Sequence, residues 1–521
     1  MTPTELDKNW DLVVIGGGVT GAGIFSEAVR MGLRVLLLEK HDFAWGTSSR
    51  SSKMVHGGLR YLKEGKPLLT RASVKERQRL LAEAPGLVDP LGFLLPVFTD
   101  FGPSKMVMGL GLAVYSLMAL EKQHQSYDAG QISARIPYLR RENLSGGFYF
   151  KDAQVDDARL VLRLINEAVA EGGTASNYTA AEEILRDQQG RVAGVAVRDA
   201  ETGQTAELRT KAVINATGAW AETLHPSPRR GLHLRPLRGS HLIFPRASFP
   251  VDEVVSFMHP ADKRPVFMFP WEGVAILGTT DVDHPGDLDT DPAITAAEAD
   301  YLIEGMHFIM PELPLAKTDA FASMAGVRPV LSRGKADPSH ESREHVVWEN
   351  QGLVTVTGGK LTTFRLLARD ALKTAAEYLP HCALPPDRVP VFTLPAERPG
   401  RPDAPAPVTR QRLYGRYGSQ AETILDWCRE NTAETVAETP VLWAEIAFAA
   451  AHEQVRHLTD LLLRRVRLGI LAPEGGADHL DRIGELCRPS LGWDEARWKK
   501  EKAAYLDIWQ KYYGPPAEDR Q

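Results

Sequence analysis

The sequence predicts an α/β fold in two interleaved parts with a small helical domain after them, and three observations predict it. Residues 11–39 read as strand, glycine turn, helix, strand. Short β-rich runs punctuated by turns follow through most of the next 320 or so residues. Beyond a Pro-rich stretch at 394–407 the periodicity turns helical. A parallel nucleotide sheet interleaved with a larger antiparallel sheet accounts for the first two.

A chain of 521 residues has room for two or three domains and a large core. Its 43% apolar and 25% charged residues are ordinary for a globular protein, and the net charge of -6 speaks against bulk nucleic-acid binding. Cys382, Cys428 and Cys487 are far apart and form no CxxC pair. That spacing excludes a cysteine-built zinc or iron–sulfur site and suits a reducing cytoplasm. The start, MTPTELDKNWDL, has no apolar run, so no secretory signal is expected.

DLVVI is a short strand, GGGVTGAGIFSEAVRMG a helix closed by Gly32, and RVLLLE a second, wholly apolar strand of the kind parallel sheets bury on both faces. The turn carries G-x-G-x-x-G at Gly16, Gly18 and Gly21. These allow a tight turn, close approach of a pyrophosphate, and packing of helix on strand. The helix N-terminus offers N–H groups to phosphates, and Glu39 stands where an acid accepts from ribose hydroxyls. A Rossmann-like domain holding an adenine dinucleotide follows from this context. The fingerprint does not separate NAD from FAD. KAVINATGAW, with Ala216, Thr217 and Gly218, and VTVTGGKLTTFRLLA, with Gly358, Gly359, Lys360, Leu361 and Thr362, lean to FAD by adding two more strand-to-turn ends.

SSRSSKMVHGGLRYLK, residues 48–63, gathers Arg50, Lys53, His56, Arg60 and Lys63 with no acid. A solvated loop, a nucleic-acid patch or a pocket for a small anion would each explain it. MVMGLGLAVYSLMAL, residues 106–120, is too short to cross a bilayer, which takes about 20 apolar residues. It either dips into one leaflet or is a buried helix. Residues 155–171 read as an amphipathic helix with Asp156 and Asp157 at its positive end. The Arg464, Arg465 and Arg467 run would meet anionic lipid or the end of a helix, and His452, Glu453 and His457 lack the spacing for a metal.

GGGVTGAGI with Glu39, SSRSSKMVHGGLRYL, INATGAW, LGTTD, GVRPV and VTGGKLTTFR together resemble, in order, the FAD-dependent glycerol-3-phosphate dehydrogenases of the aerobic, quinone-linked type. The wider circle is the D-amino-acid-oxidase and glycine-oxidase type of flavoprotein. The resemblance implies oxidation of sn-glycerol 3-phosphate to dihydroxyacetone phosphate by hydride transfer to flavin, with electrons passed to membrane quinone. It implies a substrate pocket of Arg60, Tyr61, Thr280, Arg328, Arg343 and Lys360, with Arg328 and Arg343 on the phosphate. Ser48, Ser49, Ser51, Ser52, Lys53 and Gly57 would lie along the cofactor. His56 and His241 are both candidates for the base, and Lys360 would stabilise the developing oxyanion. Arg50 stands where a smaller residue is expected and receives no role. The same resemblance makes 104–120 an interfacial helix on the inner face of the cytoplasmic membrane, and assigns the C-terminal domain, residues 408–521, to capping or to a homodimer contact.

An amine or amino-acid oxidase on the same fold would need one arginine for a carboxylate, and several cations in separate motifs argue against it. An RNA-modifying flavoprotein would want a basic face with aromatics, which the acidity opposes. A scaffold that merely holds FAD would show no substrate-dependent reduction.

Overall fold

The computed structural model describes residues 2–58, 65, 67–118, 124–225, 233–332, 345–393, 405–431 and 433–516. Leu12–Ile15 and Val35–Leu38 are wholly buried, β-branched and leucine-rich strands, and they pair in parallel. They sit inside a six-stranded sheet whose order is Val346–Asn350, Leu353–Thr357, Val213–Asn215, Leu12–Ile15, Val35–Leu38, Thr174–Ser176. Every pairing is parallel except the outermost hairpin of Val346–Asn350 with Leu353–Thr357. The carboxyl ends of three neighbouring strands, at Ile15, Asn215 and Thr357, therefore open on one edge, where ligands of such sheets bind.

The helix Val19–Arg30 starts after Gly18 and is followed by Gly32 at φ 79°. The second sheet is mostly antiparallel and has long members at Val88–Phe98, Leu144–Val155 and His233–Pro245. Ala322–Ser332 pairs along His233–Pro245 and brings Arg328 opposite Leu237. The helix predicted over 155–171 forms as Asp157–Ala170, capped by Asp156, whose carboxylate accepts from the Arg159 amide at 3.1 Å.

The apolar segment forms the helix Lys105–Met118. Leu112 and Tyr115 are buried, whereas Met106, Leu110 and Leu117 are 81%, 69% and 75% exposed. Spacings of four and seven put those three on one face, so the fully buried alternative falls. No helix among the described residues is long and apolar enough to cross a membrane.

Most of the proposed linker lies outside the described residues. After it come the helices Pro407–Tyr417, Ala421–Asn431, Trp443–His452, Leu480–Leu491 and Glu495–Tyr512. Trp443, Leu462, Trp498 and Tyr505 share one hydrophobic core with Phe93, Phe150 and Trp271 of the second sheet. The expectation that Arg464, Arg465 and Arg467 meet lipid is wrong. All three are buried, and the first two bond the Asp42 carboxylate. Glu453 is committed to Arg159, and His457 to Glu501.

Candidate active site

Gly16 has φ 110°, and a Cβ there would lie 2.7 Å from the Ala216 carbonyl oxygen. Only glycine lets the two turns touch. The Ala216 amide donates to the Ile15 carbonyl at 2.8 Å, and Asn215 pins the turn by accepting from the Thr217 amide and donating to the Ala221 carbonyl. Thr357 donates to the Gly218 carbonyl at 2.9 Å, which draws in Gly358, Gly359 and Lys360. Lys360 caps the turn Leu361–Thr363, in which Thr362 is buried, and the helix Phe364–Ala375 follows. Three turns distant in sequence thus meet at one edge of the parallel sheet.

The fingerprint helix has no acidic residue in its first turn and no side-chain cap at Gly18. Ser48 in the turn Thr47–Ser49 accepts from the Val19 amide at 2.9 Å, setting its hydroxyl against that N-terminus beside Gly18. Glu39 accepts from the Gly17 and His41 amides at 2.7 and 2.8 Å. Burial nevertheless pushes its carboxyl above the usual range. A carboxylate has about four lone-pair sites, so these two bonds leave room for ribose hydroxyls. A helix N-terminus with no acid in its first turn, hydroxyl-bearing and glycine turns, and a carboxylate at the second strand's end fit FAD.

Beneath this cradle the expected pattern changes. Lys53 is fully buried, with Nζ 2.8 Å from Asp157 and 2.7 Å from the Ser49 carbonyl, so its ammonium faces the core and not a cofactor. Burial, with Arg467 nearby, pushes its pKa down to about 8. Ser51 donates to the same Asp157 through amide and hydroxyl. Gly57 also departs from its assignment. Its amide goes to Asp152 at 3.0 Å, and a Cβ would collide with the Tyr115 hydroxyl at 1.9 Å. Thr280 is likewise spent internally: it donates to Glu298 at 2.7 Å and accepts from the Ser240 amide, so its expected substrate contact is withdrawn.

The two histidines differ in access. His241 is wholly buried, with Nε2 2.9 Å from the Ser52 hydroxyl and Nδ1 without a hydrogen-bond partner among the described residues. Burial, reinforced by Arg328 and Lys53, holds it well below the usual histidine range, hence neutral at pH 7. His56 keeps 34% of its side chain exposed, packs against Phe93 and Phe267, and sets Nδ1 3.4 Å from Asp152. That carboxylate also takes Arg77 Nη1 at 2.9 Å.

Arg328 lies on the strand next to the cradle: the Thr47 hydroxyl donates to the Val327 carbonyl, and Gly326 abuts Arg50. Its guanidinium donates to Asp281 at 3.0 Å, to the Thr280 carbonyl and to the Thr279 hydroxyl. Arg60, Tyr61, Lys63 and Arg343 lie outside the described residues. Sequence reasoning missed Asp42, Asp152 and Asp157. The KDAQVDD run signalled only a helix start, although two of its acids hold the cradle and His56.

Comparison with known proteins gives a consistent picture. The family model for FAD dependent oxidoreductases matches residues 11–369, and that for the C-terminal domain of alpha-glycerophosphate oxidase matches 403–498. Glycerol-3-phosphate dehydrogenase 2 of Mycobacterium tuberculosis is 36% identical over 520 residues, covering 96% of this chain and 88% of the relative. The aerobic glycerol-3-phosphate dehydrogenase of Staphylococcus epidermidis is 32% identical, covering 96% and 94%. Among solved structures, the Bacillus halodurans glycerol-3-phosphate dehydrogenase complexed with FAD superposes with a TM-score of 0.76 at 26% identity, over 99% of this chain and 97% of that one.

Proposed function

This chain belongs to the FAD dependent oxidoreductases and, within them, to the glycerol-3-phosphate dehydrogenases, and from that premise we propose that it oxidises sn-glycerol 3-phosphate to dihydroxyacetone phosphate and passes the electrons to membrane quinone. One observation carries the substrate reading: a cation, Arg328, stands on the strand bonded to the cofactor cradle. Bound FAD supplies the two-electron acceptor for the hydride leaving the secondary carbon.

His56, not the enclosed His241, takes the hydroxyl proton at Nε2. Asp152 faces its Nδ1 side and orients the ring. Lys360 stabilises charge on the substrate oxygen as the carbonyl develops. Arg328, with Arg343, Arg60 and Tyr61, binds the phosphate. The Arg328–Asp281 pair has no net charge, so a dianion needs those further cations. Gly16, Gly18, Gly21, Glu39, Ser48, Ser49, Ser52, Ala216, Thr217, Gly218, Gly358, Gly359, Leu361 and Thr362 form the cofactor's bed. Residues 1–393 act as one catalytic unit, with 394–407 as linker and 408–521 as the helical domain.

The exposed stripe of Met106, Leu110 and Leu117 supports peripheral binding to the cytoplasmic face of the membrane, where quinone collects the electrons. A homodimer completes this reading by analogy, and sedimentation at micromolar concentration checks it. The catalytic proposal is checked by turnover with a soluble quinone analogue. Arg328→Ala is expected to raise KM for the phosphate ester by about 10- to 100-fold, the loss of one or two charged hydrogen bonds. An unchanged KM removes Arg328 from the phosphate pocket.

A further inference from the structure

We propose that the C-terminal helical segment is part of the cofactor site, with Arg467 and Tyr513 as positioning residues that hold the cradle and slow the release of FAD. The inference rests on the reading that residues 47–53 cradle the cofactor.

Arg467 is 2% exposed and donates through Nη2 to the Ser49 carbonyl at 2.6 Å, across 418 residues of chain. Lys53 donates to the same carbonyl at 2.7 Å. Two buried cations on one carbonyl fix the direction of the Ser49 peptide, next to the Ser48 hydroxyl that meets the fingerprint helix. Asp157 completes the floor, accepting from Lys53, from Ser51 and, at 3.4 Å, from Arg467.

The other flank is held from the last helix. Arg50, buried, donates through Nε and Nη2 to the Tyr513 hydroxyl at 3.0 and 2.9 Å, and pairs with Asp291. Tyr513 is itself fixed, its carbonyl accepting from the Ser323 amide at 2.7 Å. Arg50, without a role on sequence grounds, is thus the handle by which the C-terminal end grips the turn. Ahead of it, Arg464 and Arg465 both reach Asp42, three residues beyond Glu39. They leave a five-residue π-turn, Leu461–Arg465, and Arg467 follows at φ 65°.

Stability alone does not account for this arrangement. Buried ion pairs are poor contributors to net stability, since apolar replacements of similar volume often do as well. A π-turn and a left-handed arginine are likewise local costs that persist where geometry is needed. What the cluster supplies is position, and it applies that position to the loop under the cofactor.

The test measures FAD dissociation from holoprotein by flavin fluorescence, with unfolding midpoints of apo- and holoprotein alongside. Arg467→Met and Tyr513→Phe are the variants, and Lys502→Ala, a half-exposed residue on the helix Glu495–Tyr512 that precedes Tyr513, is the control. The expected result is an off-rate about tenfold higher or more for Arg467→Met and severalfold higher for Tyr513→Phe. The gap between holo and apo midpoints should shrink in both and stay constant in the control. Off-rates and gaps matching wild type overturn the inference. Should Arg467→Met fail to fold, Tyr513→Phe decides by the same off-rate. Ser48→Ala separates the underlying reading: a faster off-rate there alone leaves the cradle and removes the clamp, whereas no change in any variant removes the cradle too.

Discussion

Whether His56 receives the substrate proton depends on three neighbours that contribute in different ways. Phe93 and Phe267 pack against the ring, while Asp152 faces Nδ1 and leaves Nε2 as the reactive edge. His56→Asn is expected to slow flavin reduction by about 10²- to 10⁴-fold, the usual contribution of a general base. Stopped-flow absorbance reads that rate, and a variant reducing its flavin at the wild-type rate would move the base elsewhere. The two histidines were legible in sequence as candidates. Their ranking was not, because it depends on how completely the strands flanking His233–Pro245 cover His241.

Buried carboxylates set the acid limit. Burial alone would raise Asp42 and Asp156. Arg465 and Arg464 for the first, and Arg416 and Arg467 for the second, outweigh it and hold each at about 2. A carboxyl whose folded pKa is depressed adds stability that is complete above its unfolded value, near 4, and is lost as pH falls toward 2. Tryptophan fluorescence on acid titration should show the protein losing stability between pH 4 and 2. Asp42→Asn should flatten that dependence, and an identical acid profile would count against the pair.

Among the elements, the helix Lys105–Met118 shows how far periodicity carries. Its composition announced an apolar segment too short to span, and left open whether lipid or protein covers it. Tyr115 and Leu112 anchor one face in the core, so Met106, Leu110 and Leu117 occupy the other. Flotation with anionic vesicles is expected to recover the wild type with lipid. Leu110→Asp with Leu117→Asp should stay in the aqueous fraction and still reduce flavin with substrate. Equal recovery of both proteins would exclude this helix from the contact. The fingerprint strands and helix were legible almost to the residue, since apolar runs, glycine turns and a terminal acid are all local signals.

At the scale of the molecule, locality is what divides the legible from the hidden. The parallel sheet, the glycine turns and the cation-rich block could each be read from a dozen neighbouring residues. The pairing of Lys53 with Asp157, of Arg50 with Tyr513 and of Asp42 with Arg465 could not, because those partners lie between about 100 and 460 residues apart. For the same reason the helical character of the C-terminal segment was legible locally, but not that its aromatic residues share one core with the second sheet.

The most direct test of the catalytic account is anaerobic mixing of the yellow holoprotein with sn-glycerol 3-phosphate, with plain glycerol as control, while the visible flavin absorbance is followed. The account predicts bleaching by the phosphate ester alone, since the phosphate pocket and the flavin serve the same substrate. Bleaching by an amine or amino acid, with none by glycerol 3-phosphate, would contradict it.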